Sequence, residues 1–170
     1  MNESWAAICA YIGPRLMHDF GLSSIQAAGV LANIGRESGG GRWLSQRGGG
    51  SGRGMCQWTG PRARSFEAWC AHHGVSSGSL EGNYGFLKFE LSGAYAACIA
   101  KLKRCATLES STSSFCFSFE KPGIPALSDR VHWGRSALAA FSPGHPAAVA
   151  PAPRPAVRRK PIADKHRGHH

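Results

Sequence analysis

Apolar residues recur along most of the chain at the three- and four-residue spacing of an amphipathic helix, and few stretches alternate as strands do. A first helix is predicted over 4–20, where one side carries Ala7, Ile8, Tyr11, Ile12 and Leu16. The Gly13-Pro14 pair is expected to kink or split this helix, because proline lacks an amide hydrogen and crowds the preceding turn. The pattern predicts an all-α, or mainly α, fold.

A second helix has a well-marked start, since Gln26 follows Ser23 at the spacing of a capping box. Its apolar face carries Ile25, Ala28, Leu31 and Ala32. The helix is predicted to end at Glu37, where a glycine-rich segment begins. A third helix is predicted after this segment, with Thr59 as N-cap, Pro61 in the first turn and Gly74 beyond its end.

Four more helices are predicted over 79–91, 94–105, 107–119 and 128–141, and no internal repeat is evident. From Ser142 onward the chain is rich in proline and alanine and has no apolar periodicity. Such a composition cannot bury a core. The sequence therefore predicts one helical domain over 1–141, followed by a disordered basic tail over 142–170.

The charge balance is strongly basic, with 20 lysines and arginines against 10 acidic residues in 170. This excess predicts an anionic partner, whether nucleic acid, anionic lipid or acidic wall polymer, and does not choose among them. No apolar run reaches the roughly 20 residues of a membrane span. The N-terminus has an acidic start and a short apolar part, which is unlike a cleaved signal peptide.

Six cysteines are present in a chain long enough to build its core without disulfides. Their spacings match no metal-binding pattern, so most are expected to be small buried residues, and no bridge is predicted. The terminal "HRGHH" is expected to be solvated. The sequence therefore predicts neither a cofactor nor a metal site.

Glu37 is a charged residue placed where an apolar helical run gives way to glycines. The C-terminus of a helix carries partial negative charge, which disfavours an anion there, so Glu37 is expected to keep its proton. A tryptophan covering it, Trp43 or Trp58, would act in the same direction. A glycosidase holds its general acid protonated by such means. Taken alone, however, Glu37 is more typical of an exposed glutamate at a frayed helix end.

Two segments resemble a known family. "QAAGVLANIGRESGG" followed by "GRGMCQWTGPRARSFEAW" resembles the phage tail lysozyme family, a peptidoglycan-cleaving branch of the lysozyme-like fold. The first segment is similar to a helix of that family that contains alanine and glycine and ends in Glu-Ser. The second segment is similar to the family's Gly-x-x-Gln-Trp-Thr-x-x-Arg stretch. Lytic transglycosylases are more loosely similar, with Gly54-Met55-Cys56-Gln57 in place of their Gly-Leu-Met-Gln. "LKFEL", "FSFEKPG" and Arg130 extend the resemblance to about residues 4–141.

The resemblance implies that Glu37 is the catalytic acid and that Ser38, Gln57 and Trp58, with the adjacent Thr59, form the pocket for a sugar. Trp43 lies in the glycine-rich loop and is the best candidate for an aromatic face of the groove. Trp69 is expected to be a packing residue. Four arginines near the loop are expected either to meet carboxylates of peptidoglycan or merely to solvate the loop: Arg36, Arg42, Arg47 and Arg53.

Hydrolysis of a glycoside normally takes two carboxylates, and only one is clear in this sequence. Glu120 and Asp129 are candidates for the second, but surface or salt-bridge roles are favoured for both, and the second role is left unassigned. Without a second carboxylate, Glu37 would serve as both acid and base while the muramyl 6-hydroxyl closes a ring. The protein would then be a lytic transglycosylase.

The predicted function is that of a muramidase of phage or prophage origin, which cleaves the β-1,4 bond between N-acetylmuramic acid and N-acetylglucosamine. We expect a monomer that is made in the bacterial cytoplasm and acts from a virion tail or at the cell wall, with peptidoglycan rather than nucleic acid as partner. The basic tail is expected to bind anionic wall polymers or membranes. Besides the lytic transglycosylase, two alternatives stay open: a cysteine hydrolase using Cys56 with His72 or His73, and a non-catalytic binder of peptidoglycan or polyanions.

Overall fold

A computed structural model describes residues 3–42, 44 and 50–142 of the 170-residue chain. These residues form helices and no strand, apart from an isolated bridge between Arg53 and Trp58, so the all-α prediction is confirmed. The helices are α1 Trp5–Phe20, α2 Ser24–Ser38, α3 Gly60–His73, α4 Leu80–Ser92, α5 Ala96–Leu102, α6 Leu108–Phe115 and α7 Leu127–Phe141. A five-residue π-helix, Cys116–Glu120, continues directly from α6, and we call it the π-turn. The predicted disordered tail lies outside the described residues from 143 onward.

The start of α2 confirms the capping box. The Gln26 amide donates to Ser23 Oγ at 3.1 Å, and the Ser23 amide donates to Gln26 Oε1 at 2.9 Å. The helix ends one residue later than predicted, at Ser38, because Gly39 adopts the left-handed conformation that terminates it.

The first helix runs through the Gly13-Pro14 pair, so the expected split does not occur. Pro14 leaves the carbonyl of Ala10 without its helical donor, but both residues are exposed and water can satisfy that oxygen. Gly13 faces inward, where a Cβ would lie 2.6 Å from the ring of Phe141. The glycine therefore allows α1 and α7 to approach closely.

Later helices differ from their predicted limits. α5 is shorter than the predicted 94–105, and the predicted helix over 107–119 is α6 followed by the π-turn. A π-turn contains one residue more than the equivalent α-helical turn and often marks a functional site.

The core is built around α2, which is buried at every residue from Ala27 to Gly35 and packs mainly against α6 and α7. All six cysteines are free thiols, and all but Cys105 are buried, as expected. None of the helices in the described part of the chain is long and apolar enough to cross a membrane.

Candidate active site

Glu37 lies in the last turn of α2, at the point where this central helix reaches the surface. Its side chain is 20% exposed, and its Oε1 accepts a hydrogen bond of 2.8 Å from Nη2 of Arg130. The carboxyl group is thus both accessible and held in one orientation.

Arg130 belongs to the first turn of α7 and is almost completely buried. Besides Glu37, its guanidinium bonds to Asn33 Oδ1 at 3.1 Å and to the carbonyl oxygen of Pro125 at 2.7 Å. The Asn33 amide in turn donates to the carbonyls of Gly29 and Thr112. These bonds join α2, α6 and α7 directly beneath Glu37.

The pairing with Arg130 is a feature that sequence reasoning missed. A guanidinium at this distance stabilises a carboxylate anion, which opposes the effect of the helix C-terminus on Glu37. The sequence-based expectation that the helix end keeps Glu37 protonated therefore stays a prediction.

Glu120 is the final residue of the π-turn and lies close enough to Glu37 for the two carboxyls to repel each other. Its Oε1 is shielded from solvent and has no hydrogen-bond partner. Burial raises the pKa of the Glu120 carboxyl well above its usual range, repulsion from Glu37 adds to the rise, and Arg130 and Arg62 oppose it. Glu120 is therefore a second carboxyl near Glu37.

Of the two candidate carboxylates, Asp129 has the surface role that was favoured, since it is half exposed and pairs with Arg36 at 3.1 Å. Glu120 is partly exposed, its Oε1 is buried, and no ion pair joins it to a described residue, so the structure does not show the salt-bridge role. The sequence did not show how the π-turn directs this side chain.

Trp58 and Arg62, both in "QWTGPR", share the carboxylate of Glu90. The Trp58 indole donates to Glu90 Oε2 at 2.8 Å, and Arg62 donates through Nε and Nη2, each at 2.8 Å. Trp58 is 2% exposed and packs against Phe66 and Phe86. Trp58 is thus a buried residue that stabilises the position of Glu90. Its direct contact with a sugar stays a prediction.

Arg62 also contacts the segment that carries Glu120. Its Nη1 donates to the Phe119 carbonyl at 3.3 Å, and its guanidinium lies over the rings of Tyr95 and Phe119 at 4.3 and 4.5 Å. These contacts fix the end of the π-turn against the start of α3.

Ser38 is fully buried, and its hydroxyl donates to the Ile34 carbonyl at 2.7 Å and accepts from the Gly41 amide at 2.9 Å. Gln57 is partly exposed, has a positive φ of 49°, and bonds through its amide to the Gly54 carbonyl. Thr59 is exposed and precedes α3 without a side-chain capping bond. Sugar contacts by these three residues stay predictions, and Trp43 lies outside the described residues.

Glycines beside Glu37 accommodate Trp133. A Cβ would lie 2.7 Å from the Trp133 side chain at Gly35 and 2.6 Å from it at Gly40, where φ is +70°. Trp133 also meets the ring of Trp5 edge to face. These glycines therefore allow close packing at the end of α2.

The remaining arginines near the loop differ in their contacts. Arg36 pairs with Asp129, Arg53 donates to the carbonyls of Gly50 and Gly52, and Arg42 is exposed. Arg47 lies outside the described residues. Trp69 packs against the core, as expected.

Cys56 lacks the surroundings of a nucleophile. Burial raises the pKa of its thiol well above the ordinary value, and the carboxyls of Glu120 and Glu90 add to the rise. His72 and His73 are exposed in the last turn of α3, where His73 donates to the Trp69 carbonyl. Since a catalytic cysteine needs a lowered pKa, these features argue against the cysteine hydrolase.

Comparison with known proteins connects this arrangement to a family. A family model described as phage tail lysozyme matches residues 9–141, a span that contains Glu37, Gln57, Glu120 and Arg130. A comparison with curated proteins finds no match.

Proposed function

Because the chain belongs to the phage tail lysozyme family, we propose that this lysozyme-like, peptidoglycan-degrading enzyme cleaves the β-1,4 bond between N-acetylmuramic acid and N-acetylglucosamine with Glu37 as general acid. The supporting observation is the accessibility of Glu37. Its side chain is 20% exposed, whereas that of Glu90 is 6% exposed. Glu120 is also partly exposed, but its Oε1 is buried without a hydrogen-bond partner, whereas Arg130 holds the Glu37 carboxyl at the surface. These contacts favour Glu37 as the carboxyl that meets a glycan strand.

In this reaction the Glu37 carboxyl donates its proton to the glycosidic oxygen as the bond from that oxygen to the anomeric carbon breaks. Water then adds to the anomeric carbon and releases a proton, which restores the enzyme. Arg130 keeps the Glu37 carboxyl in one orientation throughout.

Glu120 favours hydrolysis over the transglycosylase alternative. That alternative leaves Glu37 to act as acid and base without the help of a second carboxyl, whereas one lies near it in this protein. A hydrolase of this class normally has two, and here Glu37 would meet the substrate while Glu120 acts through it.

Digestion of purified peptidoglycan, followed by mass spectrometry of the released fragments, tests the proposal. We expect muropeptides with reducing N-acetylmuramic acid ends, and no release by Glu37→Gln. Glu109→Gln is the matched control, because Glu109 is 61% exposed in a surface pair with Arg135 and should leave release unchanged.

Three results would contradict the proposal. Fragments lighter by one water would identify a transglycosylase, and reducing N-acetylglucosamine ends would identify cleavage of the other glycosidic bond. Binding to the wall without any release would identify a non-catalytic binder.

The family fits action from a virion tail or at the cell wall, with peptidoglycan as substrate. We assign the basic segment 142–170 to electrostatic attachment, since it carries six arginines and lysines against one aspartate. An anionic wall polymer or membrane surface is its expected partner.

A further inference from the structure

Three carboxyls and two guanidinium groups lie around the end of the π-turn: Glu37, Glu90 and Glu120 with Arg62 and Arg130. Both guanidinium groups already have carboxylate partners. Arg62 makes two bonds to Glu90, and Arg130 bonds to Glu37. With every group ionised the cluster would carry one uncompensated negative charge. Glu120 is the carboxyl without a guanidinium of its own.

The surroundings of Glu120 suit a neutral acid. Glu120 as a residue is partly exposed, but its Oε1 is buried and accepts no hydrogen bond, although an ionised carboxylate oxygen needs donors. Leaving that oxygen charged without a donor is costly, and a proton on the carboxyl lowers the cost. The nearby thiols of Cys56 and Cys116 have raised pKa values from burial and supply no positive charge, while Lys121 is exposed to solvent.

We infer that Glu37 and Glu120 hold one proton between them, that this proton rests on Glu120 in the free enzyme, and that Glu120 thereby controls the protonation of Glu37. This inference rests on the proposed function for its catalytic meaning. Glu120 is a positioning residue in this scheme, since the group that meets the substrate is Glu37.

Substrate binding would move the proton. A glycan strand covering the exposed side of Glu37 removes water from its carboxylate, which disfavours the anion. Glu120 then releases its proton and Glu37 takes one up, so the negative charge passes to Glu120, where Arg62 and Arg130 act on it. Glu37 is left with the proton that the glycosidic oxygen takes.

Carboxyl NMR titration of the full chain, with ¹³C-labelled glutamate, tests the proton directly and needs no activity. We expect Glu120 to titrate well above the ordinary glutamate range, and its midpoint to fall in Glu37→Gln because the repulsion is removed. Glu109→Gln should leave the midpoint unchanged. Titration of Glu120 in the ordinary range, or indifference to Glu37→Gln, would overturn the inference.

Stability gives a second readout that needs no activity. A carboxyl whose folded pKa lies above its unfolded pKa of about 4.5 stabilises the protein fully below that pH, and its contribution is lost as the pH rises through the folded pKa. Glu120→Gln does not titrate, so its melting temperature relative to the native chain should rise with pH. A constant difference would contradict a raised pKa.

Kinetics give the third readout. At neutral pH, Glu120→Gln should lower kcat by about tenfold or more with little change in KM, and should move the alkaline limb of the pH profile to lower pH. An unchanged rate and profile would overturn the control of Glu37 by Glu120. If the native chain cleaves no peptidoglycan while Glu120 titrates as expected, the proposed function fails and the shared proton stands.

Discussion

Arg130 donates a hydrogen bond of 2.8 Å to Glu37 from a position 93 residues further along the chain. The arginine is buried, so the bond connects the first turn of α7 to the last turn of α2 inside the protein. The orientation of the proposed catalytic carboxyl is therefore a property of the tertiary packing.

Replacing Arg130 should test this dependence. Arg130→Met removes a buried cation and the hydrogen bonds that it donates to Glu37 and Asn33, so we expect a loss of about 3–5 kcal/mol in the free energy of unfolding. Arg135→Met is the control, because Arg135 and Glu109 are more than half exposed and such pairs contribute about 0–1 kcal/mol. Urea unfolding measures both. Equal losses would contradict a structural role for the buried pair.

Gly40→Ala should destabilise the end of α2 by two effects. Gly40 has φ +70°, which strains any residue with a Cβ, and that Cβ would also collide with Trp133. Gly74 has φ +66° and nothing within 4 Å, so Gly74→Ala measures the strain alone, about 1–2 kcal/mol. We expect Gly40→Ala to cost about 1–3 kcal/mol more in thermal unfolding. Equal losses of stability in Gly40→Ala and Gly74→Ala would show that the Trp133 side chain moves aside without a measurable loss.

Trp58→Phe should separate support of the site from contact with the sugar. Phenylalanine keeps an aromatic ring in the core but loses the indole donor to Glu90, so we expect a loss of about 1.5–3 kcal/mol in stability with little change in KM. Trp69→Phe is the comparison, since Trp69 packs on the core and is partly exposed. A higher KM with unchanged stability would instead support the sugar contact.

Asp19 should contribute stability that depends on pH. Burial raises its pKa, but hydrogen bonds from Tyr84, His18 and Lys88 lower it by more, so the folded pKa lies below the ordinary 3.8. Its contribution is therefore present above about pH 3.8 and lost as the pH falls through the folded pKa.

Asp19→Asn does not titrate, and we expect it to be less stable than the native chain by about 1 kcal/mol at neutral pH. Urea unfolding at several pH values should show this difference shrinking below pH 3.8. Asp129→Asn removes the half-exposed pair with Arg36, so it should lower the free energy of unfolding at neutral pH by less than Asp19→Asn does. A difference for Asp19→Asn that is independent of pH would contradict the ionic contribution.

Deleting 142–170 should weaken attachment to anionic walls or vesicles at low salt and spare cleavage of soluble glycan. The segment carries net positive charge, and attraction of this kind is screened as salt rises. Co-sedimentation at two salt concentrations measures it, with a chain in which the segment's arginines and lysines are changed to glutamine as the matched control. Unchanged binding at low salt would refute the assignment.

Local signals were enough to predict much of the helical framework. Ser23 and Gln26 lie three residues apart, so the capping bonds that start α2 depend on neighbouring sequence alone. The split at Gly13-Pro14 does not occur, because the cost of a proline depends on whether the freed carbonyl meets water, and Ala10 lies on the exposed face of α1.

The site was predicted only in part, because its contacts are distant in sequence. Glu37 could be proposed from its position at a helix end and from the resemblance carried by nearby motifs. Its bond to Arg130 spans 93 residues, and no local pattern encodes such a pair. Helical periodicity over 107–119 did not reveal the π-turn either, so the burial of Glu120 Oε1 could not be foreseen.

The π-turn has a consequence for how this site can change by mutation. Each residue of an α-helix turns the side-chain direction by about 100°, so the surplus residue in the π-turn decides where the carboxyl of Glu120 points. Losing one residue between Cys116 and Phe119 together with α-helical winding would leave Glu120 pointing nearly where it does now, whereas α-helical winding at the present length would turn it by roughly 90°. The nearness of Glu120 to Glu37 therefore depends on how the winding of this segment matches its number of residues, as well as on their identity.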